Sequence, residues 1–88
     1  MSQLFVRNPP QIVMYTTESC SDCQRAKAFF DANNVEFLRI PLEGNAEATE
    51  FVRQVNNGLQ SVPTIVFPDG TVLVEPSWEE LKQKIPFI

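Results

Sequence analysis

Two cysteines, Cys20 and Cys23, are separated by two residues at the point where an apolar run gives way to a helical pattern. The run at residues 12–16 is short, continuous and rich in β-branched side chains, which predicts a buried strand. Residues 20–33 have the apolar periodicity of a helix, with an inward stripe of Cys23, Ala26, Phe29 and Phe30. A C-x-x-C pair at a strand-to-helix junction indicates a dithiol/disulfide redox site.

Other uses of a cysteine pair fit this chain poorly. A structural zinc site needs four Cys or His ligands, and the 88 residues contain two cysteines and no histidine. A purely structural disulfide would close so small a loop that it constrains the unfolded chain little. The reactive interpretation is therefore preferred to the structural ones, and no metal site is predicted.

The charge pattern narrows the classes of partner. The formal charge is −4 at pH 7 with acidic residues spread along the chain, so there is no basic stripe for nucleic acid. No apolar run is long enough to span a membrane. Residues 1–7 lack a basic region followed by a long apolar one, so no signal peptide is predicted. We expect a cytoplasmic protein, in a compartment where a lone C-x-x-C is typically reactive.

The first half of the chain predicts a strand, a helix and a second strand. Asn33 and Asn34 form the expected helix stop, since Asn tolerates the left-handed conformation. Residues 35–40 form the predicted second strand, and Pro41 closes it. Such a βαβ unit has a right-handed crossover in nearly all known cases.

The second half predicts a helix followed by a hairpin. Asn45 is the expected N-cap of this helix, and residues 56–58 end it. Residues 65–67 and 71–74 are the predicted strands of the hairpin. The turn at 67–70 has Pro at its second position and Gly at its fourth, which is typical of a β-turn.

A third helix is predicted near the end of the chain. Ser77 and Glu80 have the spacing of a capping box, and Pro86 is the expected stop. Three residues of this helix are expected to face inward: Trp78, Leu81 and Ile85. The order β-α-β-α-β-β-α predicts an α/β domain with a four-stranded mixed sheet and three flanking helices. We assign residues 11–88 to this domain and residues 1–10 to an N-terminal extension.

Four features together resemble the glutaredoxin branch of the thioredoxin fold. They are the C-x-x-C after Tyr15-Thr16-Thr17, the Val62-Pro63 pair before the third strand, the Phe67-Pro68-Asp69-Gly70 turn, and Pro76-Ser77 opening the last helix. The resemblance covers residues 11–85 and is closest to the mycoredoxin and NrdH-redoxin type. It implies the thioredoxin fold and a thiol–disulfide oxidoreductase acting in electron transport and cell redox homeostasis.

The resemblance also implies a substrate site around the third strand. A cis peptide bond between Val62 and Pro63 is expected beside the cysteines, and it leaves the Val62 backbone free to pair with an extended substrate. Pro76 and Ser77 complete this substrate groove. Ser77 has a second interpretation as a plain helix cap, and Trp78 is expected to pack against the domain or to contact substrate.

The sequence departs from the family pattern around the thiol partner. Ser21 and Asp22 stand where glutaredoxins usually have Pro and an aromatic residue. Residues 74–77 replace the Gly-Gly and paired Asp that many glutaredoxins use to hold glutathione, and Gln60 stands where a basic residue is frequent. The thiol co-substrate, whether glutathione, mycothiol or a similar compound, is therefore left open.

Cys20 is the expected nucleophile because it lies at the start of a helix, where unpaired N–H groups and the helix dipole favour a thiolate. Cys23, one turn later on the inward stripe, is expected to resolve the mixed disulfide. Carboxylates at Glu18 and Asp22 raise the pKa of Cys20, and Arg25 or Lys27 offset them. We hypothesise that Asp22 makes the pair a poorer oxidant than Pro-containing relatives.

Two kinds of substrate fit this chemistry. One is a mixed disulfide between a protein and a low-molecular-weight thiol, and the other is a disulfide within a protein. A thiol or a flavoprotein reductase is expected to regenerate the dithiol. The alternative function is an iron–sulfur cluster carrier or scaffold, formed as a thiol-bridged dimer. For the enzyme we expect a monomer with no tightly bound cofactor.

Overall fold

In the computed structural model, which describes residues 6–85, the chain forms seven elements of secondary structure. They are β1 (Val13–Thr16), α1 (Ser21–Ala32), β2 (Leu38–Pro41), α2 (Ala46–Val55), β3 (Thr64–Val66), β4 (Val72–Val74) and α3 (Trp78–Lys84). The four strands form one mixed sheet in the order β2-β1-β3-β4. The predicted α/β class and the predicted element order are both confirmed.

The central strand β1 carries the core on both of its faces. It pairs parallel to β2, with Val13 opposite Leu38, and antiparallel to β3, with Val13 opposite Val66. One face packs on α1 and α3 through Met14, Ala26, Phe29, Phe30, Ile65, Phe67, Leu81 and Ile85. The other face packs on α2 through Val13, Tyr15, Ile40, Leu42, Ala48, Phe51, Val52 and Val66. Because both faces are covered, the whole of β1 is buried, as its continuous apolar sequence predicts.

Helix α1 ends in a Schellman arrangement. The N–H of Val35 donates to the carbonyl of Phe30 at 2.9 Å, and the N–H of Asn34 donates to Asp31 at 3.3 Å. Asn34 has a φ of 56°, so the predicted asparagine stop is confirmed. The predicted start of the second strand at residue 35 is wrong, because Val35 belongs to this helix cap. β2 begins at Leu38.

The strand β2 ends at Pro41, as predicted, although Pro41 is its last residue and the predicted strand ended at Ile40. Pro41 lies opposite Thr16 of β1. One residue later the N–H of Leu42 donates to the carbonyl of Thr16 at 2.9 Å. Since β2 is an edge strand, a residue without an N–H is tolerated there.

Both ends of α2 follow the predicted chemistry. The side-chain oxygen of Asn45 accepts from the N–H of Ala48 at 3.0 Å, which confirms the N-cap. At the other end the N–H of Gly58 donates to the carbonyl of Arg53 at 2.7 Å, with Asn57 in the left-handed region at φ 56°.

The β3–β4 hairpin has the predicted turn, although each strand differs by one residue from its prediction. The N–H of Gly70 donates to the carbonyl of Phe67 at 2.9 Å, as expected for a β-turn. Gly70 has a φ of 91°, and a Cβ there would lie 3.0 Å from the amide nitrogen of Asn8. The Asn8 amide also donates to the carbonyl of Pro68 at 3.4 Å. Pro9 is fully buried, so residues 8 and 9 lie against the domain.

The hairpin turn is joined to the end of α3 by an ion pair. The Lys84 ammonium bonds to the Asp69 carboxylate, and the N–H of Thr71 donates to the same carboxyl group at 3.0 Å. These two donors, the ammonium first, lower the pKa of Asp69 to about 2. The group is ionised in the fold at a pH where an unfolded Asp, with a pKa near ~3.9, is already protonated.

The Asp69–Lys84 ion pair makes the stability of the fold decrease at acidic pH. Because the folded pKa is depressed, its contribution is complete above about pH 4 and is lost as the pH falls towards 2. Asp69→Asn is therefore expected to reduce the loss in urea midpoint between pH 5 and pH 2. Asp31→Asn, which removes a carboxylate elsewhere on the surface, is the matched control. An unaltered pH dependence in Asp69→Asn would contradict the assignment.

The start of α3 confirms the predicted capping box. The Ser77 hydroxyl accepts from the N–H of Glu80 at 3.2 Å, and the Glu80 carboxylate accepts from the N–H of Ser77 at 2.9 Å. Leu81 and Ile85 are buried as predicted, but the inward prediction for Trp78 is wrong, since 46% of its surface is exposed. The predicted stop at Pro86 lies outside the described residues. No helix among residues 6–85 is long and apolar enough to cross a membrane.

Candidate functional site

The two cysteines lie at the N-terminus of α1 and are joined by a disulfide bond. Cys20 is the N-cap residue, with extended backbone angles of φ −102° and ψ 106°. Its sulfur accepts a hydrogen bond from the N–H of Cys23 at 3.0 Å. The sulfur of Cys20 therefore occupies the position that a Ser or Asp oxygen takes in an ordinary helix cap.

The two sulfurs differ in their access to solvent. Cys23 is 5% exposed and belongs to the predicted inward stripe, all four members of which are buried. Cys20 is half-buried, so it is the more accessible of the two cysteines. In the reduced pair, the helix dipole and the N–H of Cys23 would stabilise a thiolate at Cys20. The roles of nucleophile and resolving thiol remain predictions.

The charged residues around the pair separate into two ion pairs. Asp22, in the first turn of α1, bonds to the guanidinium of Arg25. Lys27 bonds to Asp31 at 2.6 Å and not to Asp22. Arg25 is thus the cation that partly neutralises Asp22, and both groups are partly exposed, which weakens their field at the sulfur.

A carboxylate from another loop holds the segment before Cys20. The N–H of Glu18 donates to the side chain of Glu43, which follows β2, at 2.7 Å. This bond, followed by the backbone N–H of Glu43 itself, lowers the pKa of the Glu43 carboxyl group. Sequence analysis did not identify Glu43, because the two residues are 25 positions apart and no local pattern connects them.

A cleft of about 250 Å³ lies directly beside the disulfide, between α1 and β2. Both cysteines line it, with Met14 and Thr17 from β1 and the loop that follows it. Its charged lining residues are Glu18, Lys27 and Arg39. Sequence analysis singled out Glu18 and Lys27 but not Arg39, whose position beside the cysteines follows only from the pairing of β2 with β1.

The predicted groove residues lie at the same edge of the sheet but do not line this cleft. The peptide bond between Val62 and Pro63 is cis, as predicted. Because β3 runs antiparallel to β1, with Thr64 opposite Tyr15, the residues before β3 lie level with the loop after β1. The N–H of Glu75 donates to the carbonyl of Pro63 at 2.9 Å and joins this side to the start of α3.

The other two predicted groove residues differ in exposure. Pro76 is buried, whereas Ser77 is exposed and serves as the cap of α3. Its hydroxyl and its N–H both bond to Glu80. The cap interpretation of Ser77 is therefore correct, and the substrate-binding role of the four residues remains a prediction.

Trp78 connects α3 to the helix that carries the cysteines. Its indole N–H donates to the carbonyl of Arg25 at 2.9 Å, and its ring packs edge-on against Phe29 at 5.5 Å between centroids. A half-exposed tryptophan at this position fixes how α1 and α3 sit against each other, since the amphipathic ring satisfies both contacts.

The part of the chain that the structure describes contains no assembled set of metal ligands. No group of three or more His, Cys, Asp or Glu side chains there is close enough to hold an ion. The chemistry that residues 6–85 do assemble is that of two adjacent sulfurs at a helix start.

Comparison with known proteins identifies the family of this chain. Residues 12–73 match the glutaredoxin family model. A protein of Mycobacterium tuberculosis whose name places it among the glutaredoxins is 40% identical over 74 residues, which cover 84% of this chain and 88% of that protein. Mycoredoxin 1 of Corynebacterium glutamicum is 32% identical over 74 residues, covering 84% of this chain and 91% of its own.

Solved structures agree with the fold. The glutaredoxin of Archaeoglobus fulgidus superposes with a TM-score of 0.73 at 26% identity, covering 85% of each chain. A crystal structure of a thioredoxin-like protein gives a TM-score of 0.73 at 30% identity, over 83% of this chain and 97% of that one. Both matches cover more than four fifths of this chain.

Proposed function

The chain belongs to the glutaredoxin family and is a thiol–disulfide oxidoreductase, and from that premise we propose that Cys20 is its nucleophile and Cys23 its resolving thiol. The substrates are protein disulfides or mixed disulfides between a protein and a low-molecular-weight thiol. The observation that carries the assignment is the N-cap position of the Cys20 sulfur, which accepts the N–H of Cys23 at 3.0 Å.

The proposed reaction is two exchanges at sulfur. The Cys20 thiolate attacks one sulfur of the substrate disulfide, the substrate S–S bond breaks, and the departing thiolate takes up a proton. The Cys23 thiol then loses its proton and attacks the sulfur of Cys20. The second substrate thiolate leaves, and the chain retains the Cys20–Cys23 disulfide. Two electrons pass to the substrate, and an external reductant restores the dithiol.

The difference in burial supports the assignment of roles. An incoming disulfide meets the half-buried Cys20 before the 5% exposed Cys23. The helix dipole also lowers the pKa of a thiol at the start of a helix. Its effect is smaller on a thiol that lies one turn further along. Asp22 opposes this effect, and its ion pair with Arg25 reduces the opposition. The hypothesis that Asp22 makes the pair a poorer oxidant rests on the part of that charge left uncompensated.

We assign binding of the substrate backbone to the segment before β3. No described residue hydrogen-bonds to the N–H or C=O of Val62, so both groups are available to an extended segment. Pro63 and Pro76, the two prolines assigned to the groove, are both buried. This mode of recognition adds a short strand to an exposed backbone edge.

We propose that a low-molecular-weight thiol regenerates the dithiol, and that mycothiol is this thiol. The support is the similarity to mycoredoxin 1 of C. glutamicum and the absence of the Gly-Gly and paired-Asp pattern from residues 74–77. We further propose that the enzyme acts as a monomer in the cytoplasm.

Three reducing systems test this proposal. The oxidised protein is supplied with mycothiol and its NADPH-linked reductase, glutathione and its reductase, or thioredoxin reductase, with bis(2-hydroxyethyl) disulfide as the final acceptor. NADPH consumption is expected to be fastest with mycothiol. Turnover with thioredoxin reductase alone would contradict the thiol assignment but not the oxidoreductase function. Sulfide content of anaerobically purified protein tests the iron–sulfur alternative, which predicts a coloured, sulfide-containing dimer.

A further inference from the structure

The cleft between α1 and β2 lies on the flank of the disulfide opposite β3. Both cysteines line it, so a group bound there lies close to the disulfide. Its volume of about 250 Å³ suits a small group such as a carboxylate with its hydration shell, and not a whole peptide. The groove residues before β3 and at the start of α3 do not line this cleft, so it is a separate site.

The strand register places a cation in this cleft. Arg39 of β2 lies directly opposite Met14 of β1 in the parallel pair. Partners in a register share one face of the sheet, and Met14 packs in the apolar cluster of the face that α1 covers. Arg39 is therefore on the α1 side of an edge strand, with its side chain exposed and lining the cleft.

Arg39 is the cation of this cleft that carries no ion-pair partner among the described residues. Lys27, also in the lining, is paired with Asp31 at 2.6 Å. The acidic member of the lining is Glu18, whose backbone N–H is held by Glu43. Beyond the hydrogen bond from the N–H of Glu18, the charge of Arg39 also contributes to lowering the pKa of the Glu43 carboxyl group, although the side chains of Arg39 and Glu43 form no ion pair. A guanidinium that is not held in an ion pair, beside a reactive sulfur, is suited to bidentate binding of an anion.

The surface on the other side of the disulfide, at the start of α3, is acidic. Glu75, Glu79 and Glu80 lie at the start of α3 and are all exposed. The Glu80 carboxylate already accepts the N–H of Ser77, so it takes the donor that a ligand carboxylate would use at that helix end. An anionic substrate group is repelled there and attracted to the side of Arg39.

From this asymmetry we propose that the α1–β2 cleft is a subsite for a carboxylate group of the disulfide substrate, with Arg39 as its main binding residue. The ligand class is a disulfide that carries a carboxylate near the sulfur. The carboxylate belongs either to a small acidic thiol, other than the mycothiol proposed as reductant, or to an acidic side chain next to a protein cysteine. The inference rests on the proposed function, since it concerns the orientation of that substrate at Cys20.

A charge series of small disulfides tests the subsite. The three compounds are 3,3′-dithiodipropionate with two carboxylates, neutral bis(2-hydroxyethyl) disulfide, and cationic cystamine. The reduced protein is mixed with each, and the second-order rate of oxidation is measured. In Arg39→Gln the ratio of the dianion rate to the neutral rate is expected to fall ~5-fold, as for the loss of one partly exposed ion pair. The ratio should also fall in high salt for the native chain.

Matched variants keep the test specific. Arg53→Gln removes the same charge from α2, in a different surface depression, and is expected to leave the ratio unchanged. Arg39→Lys keeps the charge and is expected to restore most of the ratio. The proposal is overturned if Arg39→Gln leaves the ratio unchanged, or if Arg53→Gln lowers it equally. If the native chain reduces none of the three disulfides, the proposed function itself fails. If it reduces cystamine faster than the dianion, only the subsite is overturned.

To distinguish the two sources of the carboxylate, the same variants are assayed with two glutathionylated peptides. One peptide has Asp next to the modified cysteine, and the other has Asn there. A ~5-fold effect of Arg39→Gln confined to the Asp peptide assigns the subsite to protein side chains. An equal effect on both peptides assigns it to the carboxylates of the small thiol.

Discussion

Replacing Cys20 by serine is expected to abolish disulfide reduction, with a loss of at least ~1,000-fold, because a hydroxyl at this position is not ionised near neutral pH. Cys23→Ser is expected to behave differently. Its Cys20 still attacks a disulfide, but no second thiol is available within one helical turn. The mixed disulfide therefore accumulates and is resolved only slowly by added thiol.

Mass spectrometry of both variants after mixing with bis(2-hydroxyethyl) disulfide gives the measurement. Cys23→Ser should gain one mercaptoethanol group on Cys20, and Cys20→Ser should remain largely unmodified. Ser21→Ala, an exposed change between the two cysteines, is the matched control and should keep its turnover. Full activity in Cys20→Ser would show that Cys20 is not the nucleophile. An adduct that forms faster on Cys23 than on Cys20 would exchange the two proposed roles.

Phe30→Ala is expected to cost ~3–5 kcal/mol of unfolding free energy, because it empties a fully buried position in a well-packed core. The ring packs against Phe29 at 6.0 Å and against Phe37 at 4.9 Å between centroids. The carbonyl of Phe30 also accepts the N–H of Val35, so this residue connects the core to the end of α1. For a domain of this size such a loss approaches the whole stability.

Urea denaturation followed by circular dichroism measures this loss. If Phe30→Ala is unfolded without urea, Phe30→Leu gives the graded result, with an expected cost of about 1 kcal/mol. Leu59→Ala is the control, since Leu59 is 64% exposed and its truncation should change the midpoint little. A cost below ~1 kcal/mol in Phe30→Ala would show that this cluster does not dominate the stability.

Most of the secondary structure was predictable because its signals are local. The continuous apolar run of β1, the asparagine cap of α2 and the Ser77–Glu80 capping box each lie within a few residues. The type and order of all the elements follow from such patterns. The cysteine pair was predictable for the same reason, since its chemistry needs one helical turn and nothing more.

The errors have two origins, one in the cap of a helix and one in a tertiary contact. The start of β2 depends on Val35, whose N–H caps α1 and so cannot begin a strand. The exposure of Trp78 depends on how α3 meets α1, where the indole reaches the carbonyl of Arg25. No periodicity in the sequence of α3 contains that information.

The missed site residues depend on tertiary contacts. Glu43 contacts the N–H of Glu18 across 25 positions of sequence, and Arg39 reaches the cysteines only because β2 pairs with β1 in one register. A shift of that register by one residue would turn Arg39 to the other face of the sheet. Residues of this kind are found by building the sheet first and then asking which side chains meet at its edge.

The spacing of the two cysteines has a consequence for product release. Their Cα atoms lie 5.2 Å apart, a separation that neighbouring positions on consecutive helical turns already have. The main chain of the helix start therefore already suits the disulfide, and we expect exchange between the dithiol and the disulfide to need little more than rotation of the two side chains. The surface that binds the incoming substrate is then the same surface from which the product dissociates. We therefore expect product dissociation to need no opening of the main chain.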